Sequence, residues 1–158
     1  MRRKLEFGDL DAVVDECRRL LRSGYTRHGN WSLGQICNHI GATIDASVDG
    51  YPAWSVVLGY PLRPFLRGFL LPRLIRGDSP AGIRTASRFV PPSDVCDAGE
   101  FEALQKSITR FRESTEALMP HPGFGAMSKE SFERFHAMHA AHHLSFLGDA
   151  RGQTTGPG

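Results

Sequence analysis

The sequence contains no apolar run long enough to cross a bilayer. Its most apolar stretch, residues 62–75, is broken by Arg63, Pro64, Arg67, Pro72 and Arg73, whereas a spanning helix needs about 20 consecutive apolar residues. The basic N-terminus, M-R-R-K-L-E-F-G-D, is followed by no apolar core of signal-peptide length. Cysteine is scarce. Cys17, Cys37 and Cys96 are odd in number, far apart and without a C-x-x-C pair, a pattern that suits free thiols in a reducing compartment better than a disulfide framework. Net charge is also small. A formal +2 gives no electrostatic argument for nucleic acid, and basic residues interleaved with recognition aromatics are missing. The expectation is a cytoplasmic protein with no membrane and no nucleic-acid partner.

What is present reads as helix. The 158 residues, 41% apolar and 23% charged, fit one globular domain with a substantial core. Asp9 is a natural N-cap for a first helix ending near Ser23, with Gly24 as its stop. Ser32 and Gln35 form a capping box for a second helix, in which Leu33, Ile36, Cys37, Ile40 and Ile44 recur at helical spacing before Gly50 and Pro52. Residues 62–76 are expected to contain helix limited by Pro64 and Pro72. Residues 77–97 read as an ordered loop, and a loop that long is unusual unless it covers something. A third helix is expected over residues 100–119, its stripe including Phe101, Leu104, Ile108, Phe111, Thr115 and Leu118, with Pro120 as its end. Ser128 and Ser131 open a last helix that stops at Gly148. No segment alternates like a strand, and no repeat appears. The domain is expected over residues 1–148, with 149–158 as a disordered tail.

Four of the seven histidines, His136, His139, His142 and His143, fall within the last helix. At about 100° per residue, His139 and His143 lie one turn apart on one face and can share one ion. His136 extends that stripe, and His142 points aside. Phe132, Phe135 and Phe146 share the face of His139, so it should pack inward, and buried imidazoles need partners for their nitrogens. A metal would satisfy both. Core histidines bonded to neighbouring helices show the same spacing, and no Glu follows the first His as in zinc proteases. His39, toward the edge of its helix's stripe, could face an adjacent helix as a third ligand or stand as a boundary residue.

Trp31-Ser32 opening a helix, His39 eight residues after the Trp, and H-x-x-x-H in the last helix resemble the DinB/YfiT-like superfamily of four-helix proteins. The phrases G-N-W-S-L-G-Q-I-C-N-H-I, D-A-S-V-D-G, S-P-A-G-I-R and H-A-A-H-H-L-S-F-L are similar to one uncharacterised subfamily within it. The likeness runs over residues 3–147. It implies an all-α, up-down-down-up four-helix bundle with a long, partly helical connection between helices 2 and 3, residues 51–92. It also implies a divalent metal held by His39, His139 and His143, with zinc the best match and nickel or iron also suited to imidazole. Many relatives have Gln three residues after the last ligand, where this chain has Phe146.

Three neutral imidazoles would leave the ion its full charge and one open position. The resemblance then implies thiol transfer to, or hydrolysis of, a small molecule, with a low-molecular-weight thiol as a partner. The alternative is a non-catalytic metal-binding or stress-associated module. No catalytic base is assigned: Asp45 and Glu133 lie six residues from a histidine, off a clean helical turn. Asn38 and Gln35 are candidate supporting donors, with exposed helix positions as the alternative. The arginines of residues 62–75 do not gather on one face, so that stretch is expected over the bundle or at a homodimer interface rather than on a membrane.

Overall fold

The computed structural model describes residues 3–70 and 87–150. Four long helices carry the core: α1 (Leu10–Ser23), α2 (Leu33–Asp49), α3 (Asp97–Glu113) and α4 (Lys129–Leu144). The first two begin and end where local chemistry says they should. Asp9 Oδ1 accepts the Ala12 amide at 2.9 Å, and Gly24, at φ 71°, takes the chain out of α1. At the start of α2, Ser32 Oγ accepts the Gln35 amide while Gln35 Oε1 accepts the Ser32 amide, a complete capping box. Leu10, Val13, Cys17 and Leu20, spaced by threes and fours, are fully buried, which is the inward face of an amphipathic helix.

Close packing of α2 on α3 rests on small residues. A Cβ added at Gly34 would stand 2.9 Å from Asp97 Oδ1, and one at Gly41 would stand 3.4 Å from Ser107 Oγ. Gly34 instead donates its amide to Asp97 Oδ1 at 2.7 Å. The Tyr25 hydroxyl donates to Asp97 Oδ2 and accepts the Leu33 amide, so one carboxylate joins the first turns of α2 and α3 to the chain after α1. α1 lies on α3 and α4, and α2 also meets α4. The result is a mostly helical protein of the bundle class, with a core running through Leu20, Ile40, Ile44, Phe111, Phe132 and Leu144.

Three expectations need correction. The third helix ends at Glu113, not near Met119. Carbonyls at its end are taken by another element, since Lys129 Nζ donates to the oxygens of Arg112 and Ser114 at 2.5 and 2.9 Å, and farther on the Met119 amide donates to Ser47 O of α2 at 2.8 Å. These tertiary bonds outweigh an apolar pattern that runs on to Leu118, and Thr115 is exposed. The last helix stops at Leu144. The chain then turns into a short strand, β2 (Leu147–Asp149), antiparallel to β1 (Tyr25–Arg27). Three residues are too few to show alternation in a sequence. Gly148 therefore serves close approach rather than helix termination: an added Cβ would meet His28 Nε2 at 2.5 Å and Thr26 Oγ1 at 2.7 Å.

Between α2 and the undescribed residues the chain forms a short helix (Ala53–Gly59), a 3-10 turn (Tyr60–Leu62), a single turn (Arg63–Phe65) and a π turn (Leu66–Leu70). Arg63 Nε and Arg67 Nη1 donate to the carbonyls of Pro122 and Phe124 and tie this segment to the 121–125 turn. Its apolar side chains do not close over the bundle: Trp54, Val57, Leu58, Phe65 and Phe69 are exposed. The expected helix at 71–76, the S-P-A-G-I-R phrase and most of the 149–158 tail lie outside the described residues. All three cysteines are free, and no described helix is long and apolar enough to cross a membrane.

Candidate metal centre

α2 and α4 together bring His39, His139 and His143 to one point. One nitrogen from each lies within 4.8 Å of the others, and no Asp, Glu or Cys joins the group among the described residues. His39 is not at a boundary. Three residues beyond Ile36 and next to Ile40, it shares the inward face of α2 and is 3% exposed. Its Nδ1 lies 2.7 Å from the Phe89 carbonyl oxygen, so that nitrogen carries the proton and Nε2 faces the cluster with a free lone pair. His139 Nε2 is 3.3 Å from His39 Nε2 and 3.0 Å from His143 Nε2.

Aromatic rings wall the cluster. Trp31 stacks on His143 at 5.3 Å and leans against His39 at 5.0 Å. Phe135 stacks on His139 at 6.0 Å. Phe89 belongs to the 3-10 turn Ser87–Phe89, and Gln35 Nε2 holds the same segment through Pro92 O at 3.0 Å. In its described part, the long connection does cover something: the outer nitrogen of His39.

Burial favours the neutral form of His39 and His139. It pushes His39 below its ordinary value, only partly opposed by the Phe89 carbonyl. It pushes His139 well below, and the neighbouring His143, His39, His136 and His142 add to the effect because a second positive charge there would be repelled. One proton on His139 Nε2 can serve one of its two imidazole neighbours at good geometry, and no proton there leaves it facing the His39 lone pair.

The family model for "Protein of unknown function (DUF1569)" matches residues 1–150. The chain belongs to the DUF1569 family. No curated protein and no solved structure matches it significantly. For this DUF1569 member, the functional reading therefore rests on the histidine geometry.

Other residues singled out by the sequence have structural partners instead. Asp45 accepts from Ser107 and Arg110, Glu133 from Arg112, and Asn38 donates to Glu100. Asp45 and Glu133 are thus engaged in ion pairs rather than aimed at the cluster. His142 meets His143 edge-on and packs against Phe146. His136, expected along the ligand stripe, is fully buried among Phe111, Phe132 and Phe135, and both its nitrogens lack a hydrogen-bond partner. Burial lowers its pKa to about 3. His121 was not singled out by sequence. It packs against Tyr51, Phe124 and Phe135, its Nδ1 accepts the Gly123 amide, and burial lowers its pKa to about 4. The Tyr51 hydroxyl is buried without a partner, and burial raises its pKa. The Phe89 carbonyl leaves no sequence signal, since any residue could supply it.

Proposed function

We propose that His39, His139 and His143 hold a divalent metal and that the protein is a DinB-like, metal-dependent enzyme acting on a small molecule. One observation carries this reading: three Nε2 atoms converge on one point, at separations that a shared cation would set. Zinc–imidazole bonds of about 2.0–2.1 Å in tetrahedral geometry place the nitrogens about 3.3 Å apart, close to the His39–His139 separation of 3.3 Å and slightly wider than the 3.0 Å between His139 and His143. The Phe89 carbonyl already fixes His39 in the tautomer that a metal requires. Zinc is the ion we assign, with nickel or iron(II) the other imidazole-compatible choices.

Bound to three neutral ligands, a divalent ion supplies Lewis acidity sufficient to bring the pKa of a coordinated water to about 7. The protein's own contribution is orientation by the Phe89 carbonyl, ring packing by Trp31 and Phe135, and a ligand set without negative charge. Asp45 and Glu133 are engaged elsewhere, and no base is assigned. Thiol transfer is preferred to hydrolysis by analogy with the DinB-like superfamily. We accordingly assign a low-molecular-weight thiol and a small electrophile as substrates. We assign the up-down-down-up connectivity that the resemblance implies, a cytoplasmic location, and a homodimer contact through the exposed 54–69 face.

A test compares zinc-loaded wild type with His139→Ala in thiol-transfer and ester-hydrolysis screens, alongside melting temperatures. Zinc-dependent turnover lost in the variant at nearly unchanged Tm supports a catalytic site. No turnover, with a marked drop in Tm on metal removal, would instead establish a structural metal in a binding module.

A further inference from the structure

The two best-defined imidazoles of the cluster are held differently on their outer sides. His39 donates Nδ1–H to the Phe89 carbonyl. His139 has its Nδ1 enclosed and unpartnered. A ligand that gives its Nε2 lone pair to a metal must carry its proton on Nδ1, and a buried N–H with no acceptor is costly. One turn before His139, on the same face of α4, stands His136, wholly buried and with both nitrogens unpartnered. The rings that touch it, Phe111, Phe132 and Phe135, offer no polar atom, and His121, which acts on it electrostatically, has its Nδ1 taken by the Gly123 amide. Phe135 touches both imidazoles, at 5.5 Å from His136 and 6.0 Å from His139. Two neighbouring imidazoles, one needing an acceptor and one holding an unused lone pair, solve each other's deficit.

We propose that His136 is the positioning residue for His139: it accepts the His139 Nδ1–H, through one enclosed water or after a small ring rotation, and so holds Nε2 unprotonated toward the cluster. No bond is made or broken; one proton is kept on one nitrogen. This inference rests on the metal reading above for its purpose, though not for its test. It explains why a polar ring occupies a site whose surroundings would suit Phe or Leu. It also gives His139 an acceptor equivalent to the one His39 has.

The test uses the full chain, metal-free, with His136→Phe, His136→Leu as a second apolar variant should Phe overfill the site, and His136→Gln, whose amide oxygen restores an acceptor. Long-range ¹H–¹⁵N spectra report which nitrogen of His139 is protonated. The expected result is Nδ1–H in wild type and in the Gln variant. In the apolar variants the proton should move to Nε2, where it can donate to the free lone pair of His39. Zinc titration gives a second readout: affinity about 10–100-fold weaker in the apolar variants, the usual effect of removing a ligand's orienting partner, and recovered in His136→Gln. Nε2–H in wild type, or the same tautomer in all variants, would overturn the proposal. So would equal zinc affinity throughout. If wild type takes up no zinc, the metal reading fails while the tautomer measurement still decides the role of His136.

Discussion

Lowering the pH of the metal-free protein should unfold it through its buried histidines. His136 and His121 titrate near 3 and 4 when folded, against about 6.5 when unfolded. Folded-state values below unfolded ones mean that the unfolded chain binds more protons in between. Their contribution is therefore intact above pH 6.5 and is lost as pH falls toward 4 and then 3. Each pKa unit corresponds to about 1.36 kcal/mol, so His136 alone accounts for roughly 5 kcal/mol and His121 for roughly 3. Whole domains are stable by only about 5–15 kcal/mol. Urea unfolding at pH 7, 6, 5.5 and 5, followed by circular dichroism in the presence of chelator, should show stability falling steeply with acid. His39 and His139 act in the same direction, so the total slope is not specific, but the difference between variants is. Replacing His136 with Phe removes one proton-uptake site and should flatten the slope by about 1.2 kcal/mol per pH unit between pH 6 and 5. Equal slopes in wild type and His136→Phe would refute the buried, neutral state of His136.

Leu20→Ala, at a fully buried position of α1, should cost about 2–5 kcal/mol in urea unfolding; a loss under 1 kcal/mol would contradict that packing. Lys129→Met should cost about 1–2 kcal/mol by freeing the Arg112 and Ser114 carbonyls, and hydrogen exchange should show the end of α3 fraying first. Gly148→Ala should cost about 1–3 kcal/mol, because the new Cβ meets His28 and Thr26. Its amide exchange should rise in Tyr25–Arg27 before it rises in the helices.

The parts legible in the sequence were those set by neighbouring residues. Asp9, Gly24, Ser32 and Gln35 act within one turn of themselves, so their spacing alone locates the bounds of α1 and the start of α2. The histidine cluster was legible in part. The i,i+4 spacing places His139 with His143, whereas His39 reads as marginal because hydropathy counts imidazole as polar even when a carbonyl and the Trp31 ring lie against it. What sequence could not show depends on distant partners. Lys129 ends α3 from another helix, Phe89 orients His39 through a backbone atom, and β1 and β2 pair across more than a hundred residues. Arg19 on α1 likewise reaches Asp149 in β2 at 2.6 Å, a contact invisible to any local pattern. His121 was passed over because its burial comes from the 121–125 turn, where His121 and Gly125 exchange backbone hydrogen bonds.

The most direct test of the central claim is metal content. Freshly purified protein without an affinity tag or chelator would be measured by elemental analysis beside a His39→Ala/His143→Ala double variant. The account predicts close to one equivalent of zinc, nickel or iron in wild type and none in the variant, with the variant still helical by circular dichroism. No metal in wild type, and none taken up from excess zinc, nickel or iron, would contradict it and reduce the three histidines to a buried, hydrogen-bonded cluster.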